Sequence, residues 1–297
     1  MHTSLFQEIR NFFSRGSVLA RLIGINVAIF IAVNLIRVFF FLWNVDGAAE
    51  AMSQWLGISS NIYVVLHRPW TLITYMFLHF DFLHILFNMI VLYVGGRLFS
   101  DFIGQDRLTA TYLLGGLTGA LFYIISFNVF PVFEEVVASS LAIGASASVL
   151  AIFIAIAAYM PDYQLPLLLF GRIRLKYIAI FFVVLDLISI DHGNPGGHLA
   201  HLGGALWGYL YARLLRSGRD PAMVLGFYLE KMIRIFRKKP TMRVEYTRER
   251  YVSDEEYNRQ RAAQQEKIDK ILDKISRHGY DSLTREEKQL LFKMGDK

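Results

Sequence analysis

The chain has 297 residues, of which 54% are hydrophobic, with a net charge of +6 and a mean hydropathy of +0.37. That balance excludes an ordinary soluble domain, and the apolar residues are gathered into runs rather than spread. No cysteine occurs, so disulfides, thiol nucleophiles and cysteine-based zinc sites are excluded as well.

Residues 1–21 place Leu5, Phe6, Ile9, Phe12 and Phe13 at helical spacing among Arg10, Arg15 and Arg21, the pattern of an interfacial helix lying on a membrane. The apolar run that follows is too long for a signal-peptide core and has no small-residue cleavage site after it, so no cleavable signal is expected. Runs at 22–43, 78–99, 108–127, 137–160 and 197–215 are each about as long as the ~20 residues needed to cross ~30 Å of hydrocarbon. A weaker run at 177–190 has only 14 residues. It must borrow Ile173 and Leu175, with Arg172, Arg174 and Lys176 snorkelling at its base. Six spans over residues 22–215 predict an all-α, polytopic membrane bundle.

Charge placement predicts the orientation. The segments before the first span, between the second and third, between the fourth and fifth and after the sixth, with the span ends adjoining them, hold every Lys and Arg except Arg37 and Arg68. Those segments are expected to be cytoplasmic. The opposite loops carry Asp46, Glu50, Glu134, Glu135 and Asp191. The positive net charge follows from this topology, and no nucleic-acid partner is implied.

Beyond Leu215 the composition changes. Residues 216–252 read as a basic juxtamembrane linker, whose "KMIRIFRKKP" suits either anionic lipid or an ordinary cytoplasmic flank. Residues 253–297 contain two capping boxes, "SDEE" from Ser253 and "TREE" from Thr284. Ile268, Ile271, Leu272 and Ile275 form a helical stripe, Gly279 is a plausible C-cap, and Leu290, Leu291 and Phe292 are placed to close on the stripe. A small helical hairpin without evident chemistry is expected there.

Polar groups inside spans are expensive and point to function. Span two carries His79, His84 and Asn88, span four Ser146 and Ser148, and span six His198 and His201. At 1.5 Å per residue, Ser146 would lie roughly 10 to 14 Å below the start of its span and His201 roughly 6 to 9 Å below its own, so the two can meet. His84 and Asn88, four residues apart, share a helix face at a comparable depth. A serine and a histidine so placed suit acyl transfer, the imidazole taking the hydroxyl proton, with Asn and a second His aimed at the oxyanion. Gly144, Gly204 and Gly208 would let helices four and six approach closely. The bland alternatives are a serine bonded to its own helix, ordinary glycine packing, and a His–Asn pair tying two helices together.

"HILFNM", "GASAS" and "AHLGGALWG" resemble, in order and on the second, fourth and sixth spans, the His-x-x-x-Asn, Gly-x-Ser-Gly and Ala-His-x-x-Gly-x-x-x-Gly motifs of the rhomboid family of intramembrane serine proteases. The resemblance implies Ser146 as nucleophile and His201 as general base of a dyad with no acidic third member. Asn88, His84 and the backbone N–H of Ser146 would form the oxyanion hole, and Ser148 would be helix packing. No cofactor or metal is implied. Ala147 stands where the family usually has glycine, Leu150 replaces an aromatic that often stacks on the catalytic histidine, and Thr71 follows Trp70 in place of an arginine. The tail segment "HGYDSLTREEK" resembles a C-terminal extension of rhomboids from Bacteroidetes-like bacteria.

The implied reaction is hydrolysis of a peptide bond in or next to a transmembrane helix of another protein, and substrates with Gly, Ser or Ala near the outer membrane edge are expected to unwind most cheaply. The expected setting is a bacterial plasma membrane, both termini cytoplasmic, the site opening outwards and substrates passing from lipid beside span five. Two rival readings are an inactive rhomboid-like scaffold that binds transmembrane helices, and a metal protein using His79, His84, His192, His198 and His201. The latter has no His-Glu-x-x-His motif, and no acidic ligand is expected near these residues within the spans.

Overall fold

The computed structural model describes residues 16–167, 171–236 and 254–295, so the expected interfacial helix of residues 1–15 and the Ser253 end of "SDEE" lie outside the described residues. The chain divides into two compact units, residues 1–238 and 239–297.

Ser17 opens the first long helix, α1 (Val18–Leu42), by accepting from the Ala20 N–H at 3.1 Å. Much of α1 is outward-facing and apolar, including Ile31, Leu35 and Phe41, as a surface solvated by lipid requires. The first loop then folds through α2 (Ala48–Leu56), β1 (Ile58–Ser59), α3 (Ile62–His67) and α4 (Thr71–Thr74). The Arg68 guanidinium lies 4.5 Å over Trp55, and its Nη1 donates to the Gln54 carbonyl at 2.6 Å. Trp70 stacks on Trp55 and donates Nε1–H to its carbonyl at 2.8 Å. Thr71, where the resemblance leads one to expect arginine, is buried and donates its hydroxyl to the Arg68 carbonyl at 2.7 Å. The cation of this loop therefore comes from Arg68.

Helix α5 (Phe82–Phe99) begins four residues later than the apolar run suggests, because Asp81 accepts from the His84 N–H at 2.9 Å and caps it there. His79 consequently precedes the helix. Helix α6 (Leu108–Val129) follows, and then the second departure: residues 137–145, read as the upper part of span four, are not helical. Their apolar content belongs to a loop containing β2 (Leu141–Ala142), which pairs antiparallel with β1, Ile58 opposite Ala142 and Ser59 opposite Leu141. The Ser60 hydroxyl donates to the Val137 carbonyl at 2.7 Å, and the Gly144 N–H donates to the Tyr75 carbonyl at 2.8 Å. Those bonds satisfy backbone that a helix would otherwise have satisfied itself. Helix α7 (Ser146–Tyr159) thus starts at Ser146, and every residue from Ala147 to Ala157 is buried.

After α7 the chain makes an antiparallel hairpin, β3 (Gln164–Leu167) with β4 (Gly171–Arg174), in which Leu165 faces Ile173. Ile173 is therefore strand, not helix. Arg174 and Lys176 pair with Asp162 at 3.3 and 2.7 Å rather than only snorkelling, and Lys176 holds the Asp162 carboxyl below the usual carboxylate range. Helix α8 (Leu175–Ile188) buries only Leu175 and Asp186. Asn194 caps α9 (Pro195–Arg216), accepting from the Gly197 N–H at 3.0 Å with Pro195 in the first turn. Helix α10 (Pro221–Phe236) occupies much of the expected linker, with Ala222 buried and Asp220 paired with Arg107.

Helices α1, α5, α6, α7, α8 and α9 form an all-α, polytopic membrane bundle in which α7 is the most buried. Glycines set how closely its neighbours approach. A Cβ on Gly203 would stand 2.6 Å from the Thr118 carbonyl oxygen of α6, one on Gly204 would overlap the Ala147 carbonyl of α7, and one on Gly208 would stand 3.0 Å from Ala155 N.

The second unit is a helical hairpin, α11 (Asp254–His278) and α12 (Arg285–Gly295). Gly279, at φ +77°, ends α11, and Thr284 with Glu287 forms the expected capping box: the Thr284 N–H donates to Glu287 Oε2 at 2.7 Å and the Glu287 N–H to Thr284 Oγ1 at 3.4 Å. Ile271 is buried, but Leu272 of the expected stripe is 50% exposed, and Leu283, outside the stripe, is buried. The side chain of Phe292 lies outside the described residues.

Candidate active site

Ser146 and His201 come together. Ser146 Oγ is 2.6 Å from His201 Nε2, joining the first residue of α7 to the second turn of α9. The other side of the imidazole was not anticipated. His201 Nδ1 lies 2.8 Å from Asp186 Oδ1 on α8, and His198 Nδ1 lies 2.8 Å from the same oxygen. A carboxylate only accepts, so both histidines donate Nδ1–H to it, and the Nε2 lone pair of His201 faces the Ser146 hydroxyl. The expectation of no acidic group near the histidines within the spans is thereby corrected. The signal available in the sequence was the carboxylate itself, an expensive group in an apolar run. Asp186, His198 and His201 place their ligand atoms within 4.8 Å of one another, the one such three-residue cluster among the described residues.

A loop, not a helix, leads the chain into Ser146. Gly144 has φ +119°, a conformation that L side chains rarely adopt, and a Cβ on it would stand 2.7 Å from His84 Cε1. Gly144 therefore faces α5 and not α9, contrary to the expectation that it packs helices four and six together; Gly204 and Gly208 do that alone. The next residue, Ala145, donates its N–H to His79 Nε2 at 3.2 Å, while His79 Nδ1 is 3.3 Å from the Phe77 carbonyl oxygen. His79, buried just before α5, thus supports the turn into Ser146. Past that turn the first backbone N–H groups of α7 have no acceptor within the helix.

Asn88 is buried on α5, its Nδ2 donating to the His84 carbonyl at 2.9 Å and lying 3.4 Å from His79 Nε2. His84 and Asn88 join Ser146, Leu150, Phe182 and His201 in lining a cavity of about 430 Å³ between α5, α7, α8 and α9. The methyl of Ala147 does not narrow that cavity: it faces α6, where a Cβ on Gly119 would stand 2.6 Å from it. Leu150 lines the cavity one turn beyond Ser146, at the position where an aromatic is usual. Ser148 is turned away from His201. Its hydroxyl lies where a Cβ on Gly116 would approach to 2.6 Å, and it has no hydrogen-bond partner among the described residues.

Residues 66–218, just over half of the chain, match the rhomboid domain. The chain belongs to the rhomboid family. Residues 251–294 of this rhomboid match a family of unknown function, DUF6576, and that match covers the α11–α12 hairpin. Among curated relatives, the rhomboid is 30% identical over 189 residues to RHOMBOID-like protein 12, mitochondrial, of Arabidopsis thaliana, covering 61% of this chain and 56% of that one. It is 28% identical over 164 residues to Presenilin-associated rhomboid-like protein A, mitochondrial, of Danio rerio, covering 52% and 41%. It is 26% identical over 197 residues to Presenilin-associated rhomboid-like protein, mitochondrial, of Mus musculus, covering 61% and 48%. The matches thus span about half the length of these relatives. Their names are mitochondrial, so the expected bacterial plasma membrane has no support among them.

Proposed function

We propose that this rhomboid is an intramembrane serine endopeptidase, with Ser146 as nucleophile and His201 as general base, acting on the transmembrane segments of other membrane proteins. The 2.6 Å contact between Ser146 Oγ and His201 Nε2, both lining the cavity, carries the reading. As Oγ attacks the scissile carbonyl carbon, its proton passes to Nε2 and the carbonyl π pair moves to oxygen. The oxyanion is met by the Ser146 N–H at the positive end of α7 and by donors from Asn88 and His84. The imidazolium then protonates the leaving amine, and water attacks the acyl-enzyme by the same route in reverse.

The apolar lining of the cavity supports a helical substrate arriving from lipid. Phe87 of α5 and Phe182 and Leu185 of α8 line it, and α8 buries only Leu175 and Asp186. A peptide helix has its carbonyls bonded internally, so local unwinding precedes attack, which favours segments with Gly or Ser near the cut. We place the site on the side of the membrane opposite the basic helix ends, following the arrangement of Lys and Arg.

Co-expression or reconstitution with tagged single-span proteins tests the reading. Cleavage by the intact chain, lost in both Ser146→Ala and His201→Ala forms that remain folded, is expected. Binding of single-span segments without cleavage would favour the scaffold instead.

A further inference from the structure

We propose that Asp186 is a positioning residue for this hydrolysis, making the constellation Ser146–His201–Asp186 rather than a dyad, with His198 as the second donor that holds the carboxylate in place. The inference rests on the protease reading and concerns the side of His201 that the dyad leaves unassigned.

The helix carrying Asp186 gives the first argument. Apart from Leu175 at its start, Asp186 is the only buried residue of α8, and its neighbours Leu185, Leu187 and Ile188 are exposed apolar groups. A carboxylate turned inward from such a helix is costly unless donors meet it, and two do, both at 2.8 Å to Oδ1. A purely structural link between α8 and α9 would need one histidine at most. His201, the one that also touches Ser146, is held through Nδ1, which leaves the opposite nitrogen basic.

The second argument is tautomeric. Neutral imidazole carries one N–H, and the proton can reside on either nitrogen. With the proton on Nε2, His201 would face the Ser146 hydroxyl with a donor and could not take its proton. Asp186 binds only the form protonated at Nδ1, and it also stabilises the imidazolium formed during attack. During that step the Ser146 O–H bond breaks, the Nε2–H bond forms, and Oγ bonds to the carbonyl carbon. Asp186 gains no proton. Because α8 lines the cavity, this bond also links that helix to the base.

The test uses the full chain in lipid or detergent and compares Asp186→Asn, Asp186→Glu and Asp186→Ala with the unaltered chain and with Ser146→Ala. Asp186→Asn is nearly isosteric and keeps the fold testable if Asp186→Ala does not fold. Expected for Asp186→Asn is a fall in kcat of roughly 10²- to 10⁴-fold, the upper end being the effect of the corresponding Asp→Asn change in a soluble serine protease. KM should stay within about twofold, as for an interaction made in the transition state. Labelling of Ser146 by a fluorophosphonate should slow in parallel, and Asp186→Glu should recover part of both. A low-field proton resonance from a histidine Nδ1–H should be present in the unaltered chain and in Ser146→Ala, and absent in Asp186→Asn.

Retention of kcat within about threefold in folded Asp186→Asn, with unchanged labelling, would overturn the role of Asp186 and leave the protease reading intact. Absence of both cleavage and labelling in the unaltered chain would instead overturn the protease reading. Activity lost to EDTA and restored by zinc in the unaltered chain would show the three-residue cluster to be a metal site and refute the positioning role.

Discussion

Gly204 of α9 lies against the backbone of Ala147 on α7, where an added Cβ would overlap the Ala147 carbonyl oxygen and stand 2.8 Å from its carbon. The neighbour is main chain at the start of the nucleophile helix, so it cannot rotate out of the way. His201 is three residues before Gly204 on the same helix, and the Ser146–His201 contact depends on this spacing. Gly204→Ala should therefore lower stability by about 1–3 kcal/mol, the usual cost of overpacking. It should also abolish or strongly reduce fluorophosphonate labelling of whatever protein stays folded. Thermal unfolding in detergent with a labelling time course checks both, and full labelling at unchanged Tm would show that the helices separate without cost.

The two serines should separate cleanly. They are two residues apart, about 200° around a helix, so only one can face His201. Ser146→Ala should eliminate turnover and labelling. Ser148→Ala should keep both and leave Tm nearly unchanged or slightly higher, because the hydroxyl it removes is buried against Gly116 without a partner. Peptide mapping of the adduct decides the matter: an adduct on Ser148 would mean that the contact with His201 belongs to another state of α7.

Asn88→Ala should lower turnover by roughly 10²- to 10³-fold, the effect of one oxyanion donor in soluble hydrolases. Its Nδ2 bonds within α5 and near His79, so little of the bundle depends on it. The expected signature is a fall in kcat with Tm nearly unchanged. A large drop in Tm with kcat preserved in the folded fraction would make Asn88 a support for His79 and the Ala145 turn.

Acid should loosen the tail hairpin locally. The Thr284 N–H and then Lys274 hold the Glu287 carboxyl below the usual glutamate range. A lowered folded pKa means that this contribution is present above the unfolded value and is lost as pH falls through the folded one. Protection of the amides of residues 284–288 in the full chain, taken relative to the intrinsic exchange rate at each pH, should therefore be high at neutral pH and fall in the acid range below the ordinary glutamate pKa. In Glu287→Gln this pH dependence should be much reduced. The same exchange rate in both proteins across that range would remove Glu287 from the cap.

Part of this architecture was legible in composition and local chemistry alone. Helices α1, α5, α6 and α9 follow from apolar runs long enough to cross a bilayer, because hydrocarbon admits no backbone whose polar groups are unsatisfied. Thr284 with Glu287 marks a helix start through side-chain chemistry acting over three residues. The candidate residues Ser146, His201, His84 and Asn88 were named from polar groups in apolar surroundings and from spacing within one helix.

Tertiary structure decided the rest, since the deciding partners are far apart in the chain. The apolar segment 137–145 is loop because Ser60, Tyr75 and His79 satisfy its backbone, and composition reports burial without reporting which hydrogen bonds make burial tolerable. Gly144 faces His84 because its φ of +119° turns the chain before α7 begins. Ala147 leaves the cavity open because Gly119, on another helix, makes room for its methyl. Asp186 joins His201 across two helices and 15 positions, and no periodicity within α8 marks which of its faces meets a histidine. Local chemistry names the groups able to react, but the distance and direction between them are set by packing of the whole bundle.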